Sequence, residues 1–369
     1  MEYKALKDIA RITMGQSPDS SSYNEEKDGL PFFQGNADFG ELYPNERVWC
    51  NEPKKVAEPG DILISVRAPI GALNYAKDEC CIGRGLAAIA IEDEAERNYV
   101  FHLLKARNND LNQKGTGSTF KAIGKNVLEE IAVPQISRDE QQKCMDMMDL
   151  LESIIRERKS QLDKLDELIK ARFVEMFDKC NEEVLIGDAI SISRGASPRP
   201  IQSFITDDPE GVNWIKIGDV SENSLYITRT AEKITKEGAK KSRAVHKGDF
   251  ILSNSMSFGR PYILGIEGCV HDGWLVLSDF RDTFDELYLY HALRSEYVQH
   301  QFSGKVNGAT VKNLNSDLVK ETYIKVPEMK EQETFADFVK QVDKSKVIVQ
   351  KALNETQTLF DSLMQEYFG

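Results

Sequence analysis

The side chains of this chain best suited to chemistry stand in short polar loops, and the loops come in pairs. Gln34 and Asn36 in FFQGNAD, and Lys216 and Asp219 in WIKIGDV, sit just past a short apolar run in each case. Amide, ammonium and carboxylate groups at loop positions can make paired hydrogen bonds to flat polar edges such as those of nucleobases. GQSP and GASP put Ser17 and Ser197 in Gly-Ser-Pro turns, the second flanked by Arg194 and Arg199. Small residues there would leave backbone N–H groups open to phosphate oxygens. A third pair of stretches, GTGSTFKAIGKNVLEEIAVP from Gly115 and VNGATVKNLNSDLVKETYIKVP from Val306, ends in Pro134 and Pro327. With its flanks it offers Lys114, Thr116, Ser118, Thr119 and Lys121, matched by Lys305, Asn307, Thr310 and Lys312, and suits phosphate contact rather than base reading. Arg67 and Arg84, then Lys240, Lys241, Arg243 and Arg260, are further cationic candidates. Each loop also has a plain structural reading as a surface turn or a helix cap.

The same search finds no catalytic constellation. There is no G-x-x-x-x-G-K-[ST] loop, no H-E-x-x-H, and no N-P-P-[YF] motif. CIGRGLA, around Gly83 and Gly85, lacks the third glycine and the acidic partner of a dinucleotide site. VHDGW (270–274) invites a His-Asp acid/base reading, but without a nucleophile it reads better as a polar turn between strands. The six cysteines show no zinc-ligand spacing and read as reduced, mostly buried thiols, Cys144 in particular because it falls on an apolar helix position. No metal and no cofactor of the chain's own is expected.

What must position these loops is a duplicated domain. DIARITMGQSP pairs with DAISISRGASP, PFFQGNAD with NWIKIGDV, PGDILISVRAPIG with KGDFILSNSMSFG, GSTFKAIGKNVL with GATVKNLNSDL, and RDEQQ with MKEQE. The offset between copies grows along the chain, so the second copy contains insertions. Each copy opens with short β-rich runs such as DILISV, LAAIAI, DFILS and GWLVLS. A short helix follows, ERNYVFHLLKAR or DELYLYHALRSEYVQHQF, then a last strand at EIAVP or TYIKVP.

Each copy closes with a long charged helix. Positions 144, 148, 151, 155, 158, 162, 165, 169, 172 and 176 of the first, and 335, 339, 342, 346, 349, 353, 356, 360, 363 and 367 of the second, form an apolar seam with alternating steps of three and four. Its apolar members include Leu151, Ile155, Leu162, Leu165, Ile169, Val342, Val349, Leu353, Phe360 and Leu363. Arg158, Arg172 and Lys346 are polar interruptions of the kind that set register. The simplest partner for each helix is the other, packed antiparallel. The fold expected is α+β: two β-rich domains at 1–137 and 181–329, separated by spacer helices at 138–180 and 330–369, as a dumbbell with an internal pseudo-two-fold axis.

No run approaches the roughly 18 to 20 apolar residues of a membrane span, and MEYKALKDIA lacks the apolar core of a signal peptide, so a cytoplasmic protein without membrane contact is expected. The net charge of −13 is shared evenly by both copies. Phosphate binding therefore depends on local basic loops or on a more basic partner.

The ordered motifs GQSP/GASP, GDILIS/GDFILS, GSTFKAI/GATVKNL and VPQISRDEQQ/VPEMKEQE, each occurring twice, resemble the specificity subunit of Type I restriction-modification systems over the whole chain. One departure is Val311 where the first copy has Phe120, which rules out a general stacking role there. The resemblance implies two target recognition domains, each small, β-rich and flanked by helices. Each would read one half of a bipartite double-stranded DNA target while the helices set the spacing. It also implies two methyltransferase partner subunits that bind S-adenosylmethionine, with restriction/translocase subunits joining them. The rival readings are a two-headed protein-binding scaffold and an enzyme with an unrecognised site; sharp dependence on DNA spacer length separates the first from a DNA reader, and turnover by the purified chain would single out the second.

Overall fold

A computed structural model describes residues 2–116, 121–220, 224–254, 259–304 and 314–368. The chain forms two units, residues 1–160 with 350–369 and residues 161–349. Each long helix, Arg138–Phe177 and Met329–Phe368, contributes one part to each unit.

The two units repeat one topology. In the first, an antiparallel sheet runs Arg11–Met14, Leu86–Ala90, Ile62–Ser65, Leu73–Tyr75. In the second its counterpart runs Ser191–Arg194, Trp274–Ser278, Phe250–Ser253, Pro261–Leu264, with Tyr226–Ile227 added in parallel at the edge. A second, five-stranded sheet centres on Leu30–Phe33 beside Cys80–Ile82 in the first unit and on Val212–Ile215 beside Gly268–Val270 in the second, parallel pairs in both. The insertions of the second copy include strand Tyr226–Ile227 and the short helix Lys236–Ala239.

The recurring Gly-Asp of GDILIS and GDFILS has a local cause. Gly60 and Gly248 both adopt φ +87°, a left-handed conformation that glycine takes without steric cost. Asp61 then accepts the Glu58 N–H at 3.0 Å and Asp249 the His246 N–H at 2.8 Å, closing the turn into a strand buried on both faces.

After the sheets, Glu94–Ala106 and Glu286–Arg294 are capped by Asp93 and Asp285. The single helix expected over DELYLYHALRSEYVQHQF is two, broken at Ser295, whose hydroxyl accepts the Val298 N–H. The last strands, Ala132–Gln135 and Tyr323–Lys325, pair with Glu2–Ala5 and Glu183–Leu185. Pro134 does not end its strand; it sits opposite Tyr3 in a two-stranded ribbon, where a missing N–H is tolerated.

The long helices pack within each unit. In the second, the Phe173 ring lies 5.4 Å from Phe335, the Arg172 guanidinium 5.9 Å over Phe338, and Lys346 Nζ 2.5 Å from Asp166. Numbers rise on one helix as they fall on the other, so the pair is antiparallel there. In the first unit, Lys105 ties both helices to the domain, pairing with Glu152 at 2.5 Å and lying over the Phe360 ring at 5.8 Å. Leu151, Ile155, Ile169, Val342, Leu353 and Phe360 are buried, while Leu162, Leu165 and Val349 are half-buried.

The seam differs from the heptad expectation at both C-terminal ends. Phe177 and Phe368 are buried in place of Met176 and Tyr367, and Met364 in place of Leu363. There the buried stripe also meets a domain helix: Phe368 meets Tyr99 at 5.1 Å, and Phe177 meets Tyr288 at 4.9 Å while still lying 5.5 Å from Phe335 of the other long helix. A straight helix has 3.6 residues per turn rather than 3.5, so steps of four carry the apolar stripe forward. Five of the six cysteines, Cys144 among them, are buried free thiols.

Candidate nucleic-acid interface

The candidate loops converge on one turn in each unit, Gly83–Gly85 in the first and His271–Gly273 in the second. Gly15 N–H donates to the Leu86 carbonyl at 2.9 Å and Gly195 N–H to the Trp274 carbonyl at 2.8 Å. A Cβ on Gly15 would lie 2.2 Å from the Gly83 carbonyl oxygen, and one on Gly195 2.0 Å from that of His271. No side chain fits at either position. The N–H groups of Gln16 and Ala196 are taken by Ile82 and Val270. The start of the Gly-Ser-Pro turn therefore holds two sheets together instead of presenting free N–H groups to phosphate. Its serine holds the central turn: Ser17 Oγ accepts the Arg84 N–H at 3.2 Å and Ser197 Oγ the Asp272 N–H at 3.4 Å.

In the first unit the backbone gathers four cations. Val66 N–H donates to the Gly85 carbonyl, Ile123 N–H to Val66, and Ala68 N–H to Lys121, while Thr116 and Ala122 bond each other in both directions. Arg67, Arg84 and Lys121 are thereby brought to neighbouring loop positions, with Lys114 beside them at the end of the helix Asn108–Lys114. All four are exposed. Among the described residues none of them has an ion-pair partner. Gln34, also exposed, donates from Nε2 to Ser17 Oγ at 3.2 Å, and its own carbonyl accepts the Gly85 N–H. Asn36 is half-buried at the start of the adjoining short helical turn, which Asp38 braces by accepting the Gln34 N–H at 2.7 Å.

The second unit keeps the frame and changes the charges. Asn254 N–H donates to the Gly273 carbonyl and Leu314 N–H to Asn254, as Val66 and Ile123 do in the first unit. Here, though, the cations are engaged. Lys216 pairs with Glu232 at 2.5 Å, Arg199 lies 3.6 Å from the Asp272 carboxylate, Arg194 Nε donates to the Asp272 carbonyl, and Arg243 Nε to that of Arg194. Asp219 accepts the N–H groups of Lys216 and Ala231, one on each oxygen. These two bonds, one to each oxygen, hold the carboxylate to the turn. Lys241 lies over the Phe204 ring at 4.8 Å, Lys240 is exposed, and Arg260 is half-buried before the strand Pro261–Leu264.

Ser197, Arg199, Trp214, Lys216, His271 and Asp272 line a cleft of about 440 Å³. His271 Nδ1 accepts the Gly273 N–H at 2.6 Å, and burial lowers the imidazole pKa, so the neutral ring braces the turn. VHDGW is the polar turn that its sequence suggests. Asp272, Asn254 and Glu232 were not legible as site residues; the clue was that CIGRG and VHDGW both precede the strand that returns to the Gly-Ser-Pro turn. Ser118, Thr119, Lys305, Asn307, Thr310 and Lys312 lie outside the described residues. Among the described residues no group of three side chains could hold a metal ion, and no helix is long and apolar enough to cross a membrane.

The profile of the family described as Type I restriction modification DNA specificity domain matches residues 1–165 and again 179–357. A type I restriction enzyme specificity subunit of Methanocaldococcus jannaschii is 45% identical over 163 residues, covering 43% of this chain and 38% of that one. A second specificity subunit from the same organism is 26% identical over 204 residues, 51% of this chain and 47% of the relative. The matches thus span less than half the length of these two relatives. The crystal structure of a Type I restriction-modification S subunit from M. genitalium shares the fold, with TM-score 0.58 at 14% identity over 100% of this chain and 96% of the other.

Proposed function

Because the chain belongs to the type I restriction-modification DNA specificity family, we propose that it is a non-catalytic DNA-reading subunit acting in the cytoplasm. Each unit reads one half of a bipartite duplex target, with the long helices as the spacer. The chain directs two methyltransferase subunits, which bind S-adenosylmethionine, and restriction/translocase subunits to that target.

The observation that carries this reading is the set of exposed cations in the first unit, Arg67, Arg84, Lys114 and Lys121, on loops tied to the turn that also holds Ser17 and Gln34. Unpaired arginines and lysines are the groups that replace condensed counterions on a phosphate backbone, and the exposed arginine and glutamine at the turn itself can read base edges between them. An overall charge of −13 leaves much of the grip to partner subunits, so the isolated chain binds duplex weakly. The test is sequencing of methylated adenines in a host carrying the assembled system. A two-part motif with a fixed gap is expected. Methylation without such a motif, or tight and salt-insensitive DNA binding by the chain alone, overturns the proposal.

A further inference from the structure

The central turn shares three backbone holds between the units and differs at its tip and in the glycine N–H after it, which Gly85 gives to the Gln34 carbonyl and Gly273 to His271 Nδ1. The tip N–H is held by Ser17 Oγ at 3.2 Å in one unit and by Ser197 Oγ at 3.4 Å in the other. The carbonyl of the next residue, Gly85 or Gly273, accepts the N–H of Val66 at 2.9 Å or of Asn254 at 3.1 Å. The carbonyl of the preceding residue closes against Gly15 or Gly195, where no side chain fits. Flanking residues Ile82, Gly83, Gly85 and Leu86 are buried while Arg84 is exposed. These shared holds fix the tip at equivalent positions, and what it presents is an exposed guanidinium in one copy and a half-buried carboxylate in the other.

Opposite charges at one fixed position suit opposite base edges. Arginine donates two hydrogen bonds to O6 and N7 of guanine, and aspartate accepts from the N4 amino group of cytosine. The Asp272 carboxylate has one oxygen on the Ser197 hydroxyl at 2.8 Å and the other 3.6 Å from Arg199, which orients it and leaves acceptor capacity on both oxygens. The neighbouring reader is withdrawn in that unit: Lys216, equivalent to Gln34 by strand register, is held by Glu232.

We infer that the tip residue is the base-selecting side chain of each unit, Arg84 choosing a guanine and Asp272 the amino group of a cytosine. This rests on the DNA-reading function proposed above. The test uses the chain assembled with its methyltransferase subunits in a methylation-free host, with methylated sites sequenced for the wild type, Arg84→Gln, Arg84→Lys and Asp272→Asn. The wild-type motif should contain a G·C pair in each half-site. Arg84→Gln should relax one such position in one half-site alone, and Asp272→Asn one in the other half alone, with discrimination there falling by roughly 5- to 150-fold, the worth of one good base contact. Gap length and the opposite half should stay as they were.

Melting of each complex reports folding; if the glutamine variant is unfolded, Arg84→Lys, which keeps the charge but loses the planar fork, carries the test. A wild-type complex whose methylation has no bipartite motif sinks DNA reading itself. Given a bipartite wild-type motif, the assignment alone is overturned by a half-site made only of A·T pairs or by variants that leave the motif intact. Changes in both halves, or loss of all methylation in folded Arg84→Gln and Arg84→Lys complexes alike, overturn it as well.

Discussion

Replacing Arg67, Lys114 and Lys121 by glutamine together removes three cations of the first unit and leaves Arg84 and the turn intact. None of the three has an ion-pair partner among the described residues, so their removal orphans no described carboxylate. If each neutralises one phosphate, the slope of log K against log salt becomes shallower by ~0.9 per contact, or about 2.7 in all. Over a fourfold rise in salt, from about 50 to about 200 mM, the wild-type complex should then lose about 40-fold more affinity than the variant. Fluorescence anisotropy with a duplex carrying the bipartite target, titrated at several salt concentrations with the assembled complex, measures this directly. Lys216→Gln in the second unit is the control: its ammonium already lies 2.5 Å from Glu232, so it should move the slope by less than about one. A triple variant whose slope matches the wild type would refute the idea that these loops face phosphates, even if its affinity fell at every salt concentration.

Gly195→Ala places a methyl 2.0 Å from the His271 carbonyl oxygen, and backbone must shift to relieve it; a loss of roughly 1–3 kcal/mol is expected from overpacking, read as a lower denaturation midpoint, together with lost methylation. Phe368→Ala and Phe177→Ala each empty a site against a buried tyrosine, Tyr99 or Tyr288, and should cost about 3–5 kcal/mol apiece in urea unfolding, whereas Tyr367→Ala and Met176→Ala, half-buried, should cost clearly less. Burial, with the Arg294 and Lys346 charges nearby, pushes the His291 imidazole from 6.5 down to about 3. The unfolded chain therefore takes up a proton that the folded chain refuses, so this group's contribution is intact above pH ~6.5 and is lost as pH falls, at up to about 1.4 kcal/mol per pH unit. His291→Leu should flatten the acid limb of the stability profile by that amount, and an unchanged limb would show that the ring titrates freely.

The amino-acid sequence was enough for the repeat, the α+β class and the two long helices. These depend on local signals: glycine where the backbone turns left-handed at Gly60 and Gly248, apolar runs where strands are buried on both faces, and a seven-residue period along the helices. The same local signals misled where a helix end also packs on a domain helix, because a period read from the helix says nothing of what faces it. Hence Met364 and Phe368 took the places assigned to Leu363 and Tyr367.

Which loops meet was decided by tertiary structure alone. Arg67, Arg84 and Lys121 lie up to 54 positions apart in the chain, and backbone hydrogen bonds between separate segments, Val66 with Gly85 and Ile123 with Val66, bring them together. Asp219 suits a base contact by its residue type, and folding sets each of its oxygens on a backbone N–H group. Asp272 read as part of an ordinary turn until Ser197, Arg199 and Arg194 closed around it. A residue's type and spacing determine what it is able to do, but the neighbours that occupy or free its polar atoms come from elsewhere in the chain, and only the packed fold selects them.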